Sequence, residues 1–231
     1  MKIFAMADLH LSLSADKPMD VFGKRWIDHT EKMRKNWHAL VGPEDLVIIS
    51  GDVSWGLKLE EALPDLEWIH RLPGRKIITR GNHDLWWTSL SRLNSLYEDI
   101  SFVQNSCLQM GDVGVSGTRG WMLPGSTPDW SEHDEKIYRR EQLRLEMALK
   151  AAKDSGCRHR ILSIHYPPLN KTEMDTEFTR LIEAYEVETV LYGHLHGEDA
   201  RRHAYTCMHR GVEYRLTASD QIGFCPVQIE I

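Results

Sequence analysis

Nothing in this sequence is arranged to hold a disulfide framework or a zinc knuckle. Its four cysteines, Cys107, Cys157, Cys207 and Cys225, stand far apart and form no C-x-x-C pair, so they read as reduced, mostly buried thiols of a reducing compartment. A basic excess is also missing. With a formal charge of -6 the chain lacks the electrostatic footprint for wrapping a nucleic-acid backbone, although a short strand or a nucleotide stays compatible with it. Long apolar runs are absent too: no stretch approaches a membrane span, and Met1 to Ala7 carries one basic residue and too short an apolar run for a signal peptide. The expectation is a cytoplasmic protein with no membrane partner. Repeats, linkers and low-complexity segments are lacking as well, which predicts one domain over residues 1–231, large enough to bury roughly 70% of its unfolded surface. At 42% hydrophobic and 27% charged residues, the composition is that of a soluble globular chain.

What is present is organised around Gly81-Asn82-His83-Asp84, a tight polar turn directly after the apolar run Lys76 to Thr79. Gly81 would permit a sharp turn that a side chain obstructs, and Asp84 would sit at the N-terminus of a helix predicted over Leu85 to Tyr97. The same grammar recurs along the chain. Ile3 to Ala7 reads as a buried strand followed by Asp8-Leu9-His10, and an extended backbone there would turn Asp8 and His10 to one side. Leu46 to Ser50 is a second strand, closed by Gly51-Asp52. A helix over Lys58 to Leu72, with Pro64 marking its start or a break, leads to the third strand, Arg75 to Thr79. This alternation argues for an α/β layered fold with parallel pairing in its first half.

From Ser101 onward, Phe102-Val103, Cys107 to Met110 and Val113 to Val115 are short runs with glycine and polar breaks, as in an antiparallel hairpin. A Gly-, Pro- and Trp-rich loop over Gly117 to Trp130 follows. Ser131 and Asp134 form a capping signal for a long helix through Lys153, with Ile137, Leu143, Met147 and Ala151 as its buried stripe. Arg160 to Ile164 is a strand ending in His165, and a helix over Thr172 to Tyr185 leads to Thr189 to Tyr192, which ends in Gly193-His194-Leu195-His196. Arg201 to Gln228 reads as a second antiparallel patch. Trp26, Met33, Trp37 and Leu40 recur at near-helical spacing and read as core.

Five apolar strands thus terminate in His, Asp or Asn, and in an open α/β sheet such ends face one crevice. The pooled residues are Asp8, His10, Asp52, Asn82, His83, His165, His194 and His196, a mixture of carboxylate, amide oxygen and imidazole that suits Mn, Fe or Zn. They are too many for one ion. Two ions sharing a bridging carboxylate would use seven and leave the eighth for proton transfer.

These residues resemble the calcineurin-like metallophosphoesterases, whose blocks D-x-H, G-D, G-N-H-[DE], a lone H and G-H-x-H all occur here in order between Asp8 and His196. The resemblance implies an αββα sandwich of two facing mixed sheets flanked by helices. It implies two divalent or trivalent transition-metal ions, the first on Asp8, His10 and His196, the second on Asn82, His165 and His194, with Asp52 bridging. His83 would stay off the metals, near the leaving group, with Asp84 or another carboxylate positioning its ring. Trp55 replaces the Tyr ligand of the purple acid phosphatases, and Gly51 to Gly56 lacks the Asp-Arg pair of the protein phosphatases, so the chain is more similar to the bacterial-type phosphohydrolases and phosphodiesterases. With divalent ions, Asp8, Asp52 and a bridging hydroxide would leave about +1 at the site, matching a small-molecule phosphodiester monoanion, of a nucleotide or another organic phosphate. A phosphomonoesterase, a nuclease of the same family and a non-catalytic metal-binding scaffold are the alternatives. Arg119 and Trp121, in the loop after the central hairpin, are candidate substrate contacts. The oligomeric state is not encoded in any motif.

Overall fold

The structure, a computed structural model, describes residues 1–197 and 206–231. Two mixed sheets face each other. The first has the order β11-β1-β2-β3-β4, from Val227–Ile229, Ile3–Met6, Leu46–Ser50, Arg75–Thr79 and Ile100–Val103. The second has the order β5-β6-β7-β8-β10-β9, from Ser106–Met110, Val113–Thr118, His159–Ile164, Thr189–Tyr192, Val212–Leu216 and Cys207–His209. Strands β1 to β4 pair parallel, as do β6, β7, β8 and β10. β11 runs antiparallel to β1.

The strands are apolar without alternation because both of their faces are covered. Ile3, Ala5, Leu46, Ile48 and Ile77 point between the sheets, against Val115, Ile161 and Leu191. Their neighbours Phe4, Met6, Val47, Ile49 and Ile78 point outward, under Met33 and Trp37 of α1 (His29–Leu40) and Leu66 and Ile69 of α2 (Leu59–His70). The far side of the second sheet packs against Leu145 and Leu149 of α4 (Glu132–Asp154) and Phe178 and Ile182 of α5 (Glu177–Ala184). This is the four-layer αββα sandwich. Among the described residues, no helix is long and apolar enough to cross a membrane.

Several local expectations are corrected. The helix expected over Leu85 to Tyr97 shrinks to α3 (Leu90–Leu93), because Ser89, not Asp84, accepts the capping bond, from the Arg92 N–H. Helix α5 begins only at Glu177, after Asn170 Oδ1 accepts from the backbone of Thr172 and Glu173 and holds a loop. Helix α2 runs through Pro64, whose ring deprives only the exposed Glu60 carbonyl of its partner. In α4 the Ser131–Asp134 capping box forms, yet Leu143 and Met147 are 64% and 60% exposed and the buried face carries Glu141 instead. Leu40 is exposed. β4 joins the first sheet beside β3, so only β5 and β6 make the hairpin. Of the stretch from Arg201 to Gln228, residues 201–205 lie outside the described residues; β9 and β10 pair antiparallel, but β10 also pairs parallel to β8.

Candidate metal centre

The carboxyl ends of β1, β2, β3, β7 and β8 meet at one edge of the sandwich, where a buried hydroxyl cluster locks the two sheets together. Ser163 Oγ lies 2.8 Å from both Ser50 Oγ and Thr79 Oγ1. Above it the chain leaves β1, β2 and β8 in an unusual conformation. Asp8, His10, Asp52 and His194 have φ of 56°, 46°, 53° and 71°, a left-handed region that non-glycine residues occupy at a cost. Asp8 and His10 therefore do not share a face by strand alternation, as an extended backbone would require. They converge because β1 has already ended and successive left-handed residues fold the loop over the sheet edge.

Two glycines allow the loops to close on one another. A Cβ at Gly81 would collide with the backbone and carboxylate of Asp52, and one at Gly193 with the carboxylate of Asp8. Gly81 is thus required by close approach, not by a positive φ. Asp84 then pins the loops from below: its Oδ2 accepts from the N–H groups of Gly81 (2.8 Å) and Asp52 (3.0 Å), its Oδ1 from Val53 (2.9 Å), Ser54 (3.3 Å) and the Trp86 indole (3.0 Å). The carboxylate expected to orient His83 instead orients backbone.

Asp8, His10, Asp52 and His196 offer ligand atoms that all lie within 4.8 Å of one another. His10 Nε2 and His196 Nε2 approach to 3.0 Å, and Asp8 Oδ1 is 3.6 Å from His196 Nε2. Asn82 Oδ1 is the centre of a second group, 2.8 Å from His165 Nε2 and 2.9 Å from His194 Nδ1. Asp52 lies between the two. Its Oδ1 accepts the His83 backbone N–H at 2.8 Å, while its Oδ2 is buried without a hydrogen-bond partner, 3.3 Å from His165 Nε2 and 3.9 Å from His10 Nε2. Converging lone pairs with an orphaned carboxylate oxygen are what a metal-free ligand set looks like, so the residues fit the metal ions that the chemistry of the donor set calls for.

The electrostatics agree. Burial would raise Asp52, but the imidazoles of His165 and His10 outweigh it and hold the carboxyl well below its usual range. His165, despite its burial, is pushed up to about 9 by Asp52 and Asp8. His194 is pushed down to about 3 by burial and by His165, and burial likewise lowers His10. The His165 Nδ1–H donates to the Ser50 carbonyl at 2.9 Å, which leaves Nε2 for the centre.

His83 stands beside these groups, half-buried, with its ring 4.4 Å from Trp55 and 5.7 Å from His10. Burial lowers its pKa, with Asp52 opposing. Arg119 and Trp121 are engaged beside the ligand groups: the Arg119 carbonyl accepts from the N–H groups of His165 (3.2 Å) and Tyr166 (3.0 Å), its guanidinium lies 3.7 Å from Glu141 and 4.8 Å over the Trp121 ring, and Trp121 packs against Tyr166. One participant was missed entirely. Asp220 accepts from Arg25 (3.0 Å) and the Gly197 N–H (2.9 Å) through Oδ2, and its Oδ1 lies 3.8 Å from His196 Nδ1, both atoms buried and unpartnered. A signal existed: Val212 to Leu216 is one more strand running toward an acid.

A sequence profile of the calcineurin-like phosphoesterases matches residues 1–198. The chain is 37% identical over 76 residues to the gene 66 protein of Mycobacterium phage D29, and 40% over 57 residues to that of phage L5. Those alignments span 32% and 25% of this chain and only 38% and 27% of the phage proteins. Among solved structures, the phosphopantetheinyl hydrolase of Mycobacterium tuberculosis superposes with a TM-score of 0.54 at 14% identity, over 99% of this chain and 95% of that one. A protein of unknown function from Aquifex aeolicus gives 0.52, also at 14%, over 98% and 95%. At this identity both show the shared fold.

Proposed function

The chain belongs to the calcineurin-like phosphoesterases, which are metal-dependent, and from that premise we propose that it is a dinuclear phosphodiesterase of small organic phosphates, nucleotides included. In this reading residues 1–231 are one domain acting in the cytoplasm. The observation that carries the dinuclear part is Asp52, whose free oxygen faces His165 of one ligand group and His10 of the other. Asp8, His10 and His196 would hold one ion, Asn82, His165 and His194 the second, and Asp52 both. When bound, such Mn, Fe or Zn ions supply Lewis acidity toward phosphoryl oxygens and water of lowered pKa. The protein's part is to fix the ligands on strained loop ends, exclude water below them and present His83 to the departing oxygen. The negative charge of a bound phosphate would act to raise the His83 imidazole, which burial lowers, toward the range of a proton donor.

Diesters are favoured because few cations face the centre among the described residues: none lines the flanking clefts, Lys17 lies 4.5 Å over the Trp55 ring, and Arg119 is turned to Glu141. With two divalent ions, the Asp8 and Asp52 carboxylates and one hydroxide, the excess charge of about +1 would suit a monoanion. The test adds each metal back to metal-free protein and compares kcat/KM for bis-p-nitrophenyl phosphate and p-nitrophenyl phosphate, in the wild type and in Arg119→Ala. Diester turnover at least equal to monoester turnover in both proteins is expected. A strong monoester preference abolished by Arg119→Ala would reverse the reading, and two metal equivalents retained by folded Asp52→Asn would refute the bridge.

A further inference from the structure

Two clefts of opposite chemistry open from the centre. The first, about 360 Å³, is lined by Met19, Phe22, Trp26 and Trp55 together with the rings of His10, His83 and His196. Its walls are packed: Trp55 stacks on His10 at 4.9 Å and its indole N–H points at Met19 Sδ (3.2 Å), while Trp26, 3% exposed, is wedged against Phe224 at 5.1 Å. At the mouth, Phe22 stands 67% exposed on the short turn Met19–Phe22. No amide, hydroxyl or carboxylate side chain lines this cleft among the described residues, so apart from its imidazoles and the Lys17 ammonium 4.5 Å over the Trp55 ring it offers a sugar hydroxyl or a base edge few partners for the water it would lose. The second cleft, about 460 Å³, offers Ser126, Tyr166, Asn170, Thr172 and Glu173 beside His194.

His83, the proton donor, belongs to the apolar wall and not to the polar one. Resting on the diesterase reading above, we propose that the substrate is an asymmetric phosphodiester whose leaving group is a hydrocarbon, aryl or similarly flat and apolar, seated against Phe22, Trp26 and Trp55. The retained ester group is the polar one. Water adds to phosphorus, the bond from phosphorus to the apolar group's oxygen breaks, that oxygen takes a proton from His83, and the products are an apolar alcohol and a polar phosphomonoester. A cleft of this volume lies at the small end of ligand sites, which run from about 300 to 1,000 Å³, and so fits a ring-sized group and not a polymer.

The experiment measures kcat/KM of the metal-loaded enzyme for dibenzyl phosphate, diethyl phosphate and thymidylyl-thymidine. Benzyl and ethyl alcohols have similar acidity, so a difference between them reports apolar contact and not leaving-group chemistry. Dibenzyl phosphate is expected to exceed each of the other two by about tenfold to a hundredfold, the range for burying one ring, with a smaller benzyl-to-ethyl ratio in Phe22→Asp. Equal rates for benzyl and ethyl, a preference for the dinucleotide, or a ratio untouched by Phe22→Asp would overturn the proposal. Binding is read separately, from tryptophan quenching by the dibenzyl and diethyl esters in wild type and Phe22→Asp. If monoesters alone are hydrolysed, the diesterase reading fails, and tighter dibenzyl binding that weakens in Phe22→Asp still upholds the apolar cleft; equal binding of the two esters overturns it.

Discussion

Replacing Asp84 with asparagine changes one atom and should nevertheless dismantle the site. The carboxylate is fully buried and accepts five hydrogen bonds, two at Oδ2 from the N–H groups of Asp52 and Gly81 and three at Oδ1 from Val53, Ser54 and Trp86. An asparagine would direct its NH2 to the side with fewer donors, setting donor against donor. Two buried N–H groups are then orphaned at about 1–3 kcal/mol each, and the three bonds kept lose their charge assistance, which roughly halves them. The sum, about 4–10 kcal/mol, is comparable with the whole stability of a typical domain, about 5–15 kcal/mol. For a chain of this size it corresponds to a fall in Tm of at least roughly 8 °C, at about 2–4 °C per kcal/mol. Because the orphaned groups belong to Asp52 and Gly81, the loops should part at the centre and metal should be lost. Calorimetry of the metal-free protein and elemental analysis after reconstitution measure the two effects. Asp84→Ala, which leaves a polar cavity for water, should be no worse than Asp84→Asn. An asparagine variant within about 2 °C of wild type with full metal content would refute the reasoning.

Three further outcomes are expected. His83→Asn should keep its metals and lose turnover in proportion to leaving-group pKa, since a good leaving group departs without a proton; equal losses on p-nitrophenyl and alkyl esters would point to substrate positioning instead. Asp220→Asn should weaken one of two metal equivalents by about 10–100-fold, as removal of a histidine's supporting carboxylate does, while sparing the other; titration calorimetry that finds both or neither weakened argues against a role through His196. The metal-free protein should be most stable near pH 6.5 and less stable on either side. His165, raised to about 9 in the fold, contributes stability that is complete below its unfolded value of about 6.5 and is lost as pH rises through 9. His194, lowered to about 3, makes stability fall as pH drops from about 6.5 toward 3, because the unfolded chain then binds the additional proton. Urea midpoints across pH test this, and a monotonic profile between pH 5 and 10 contradicts it.

Much of this was legible because the strands are covered on both faces. Continuous runs such as Leu46 to Ser50 can be seen without knowing the partner strands, and the polar residues just past them mark a shared edge. Helix faces were harder to read. The buried face of α4 includes Glu141, which is fully covered and paired with Arg144 at 2.7 Å, so apolarity pointed to Leu143 and Met147 on the wrong side. Asp84 misled for a related reason: a carboxylate after a turn resembles a helix cap, and only the tertiary approach of the β2 loop shows that its partners are N–H groups thirty residues away. Asp220 had no motif, because its meaning lies in its distance from His196.

Backbone strain in the loops couples the ligands to one another. Four of the seven proposed ligands sit at positive φ, where a residue other than glycine costs about 1–2 kcal/mol. Glycine would relieve the backbone and remove the ligand, so the cost has to be offset by the fold. The offsets are visible as hydrogen bonds that pin the strained loops from strand to strand: Asp8 N–H to the Gly51 carbonyl, His10 N–H to the Asp52 carbonyl, Leu11 N–H to the Val53 carbonyl, and His194 N–H to the Asp8 carboxylate. Each strained residue is thus held by the loop of another ligand, so the centre is assembled by the loops together or not at all. Bound metal would add to the same coupling, since ions that bind only the assembled loops stabilise the native state by mass action. The sandwich below can fold through its own core, while the edge that carries the chemistry depends on mutual support between β1, β2, β3 and β8. That dependence is why substitutions at Gly81 or Asp84, neither of which is a ligand, are expected to act on metal content as strongly as substitutions of the ligands themselves.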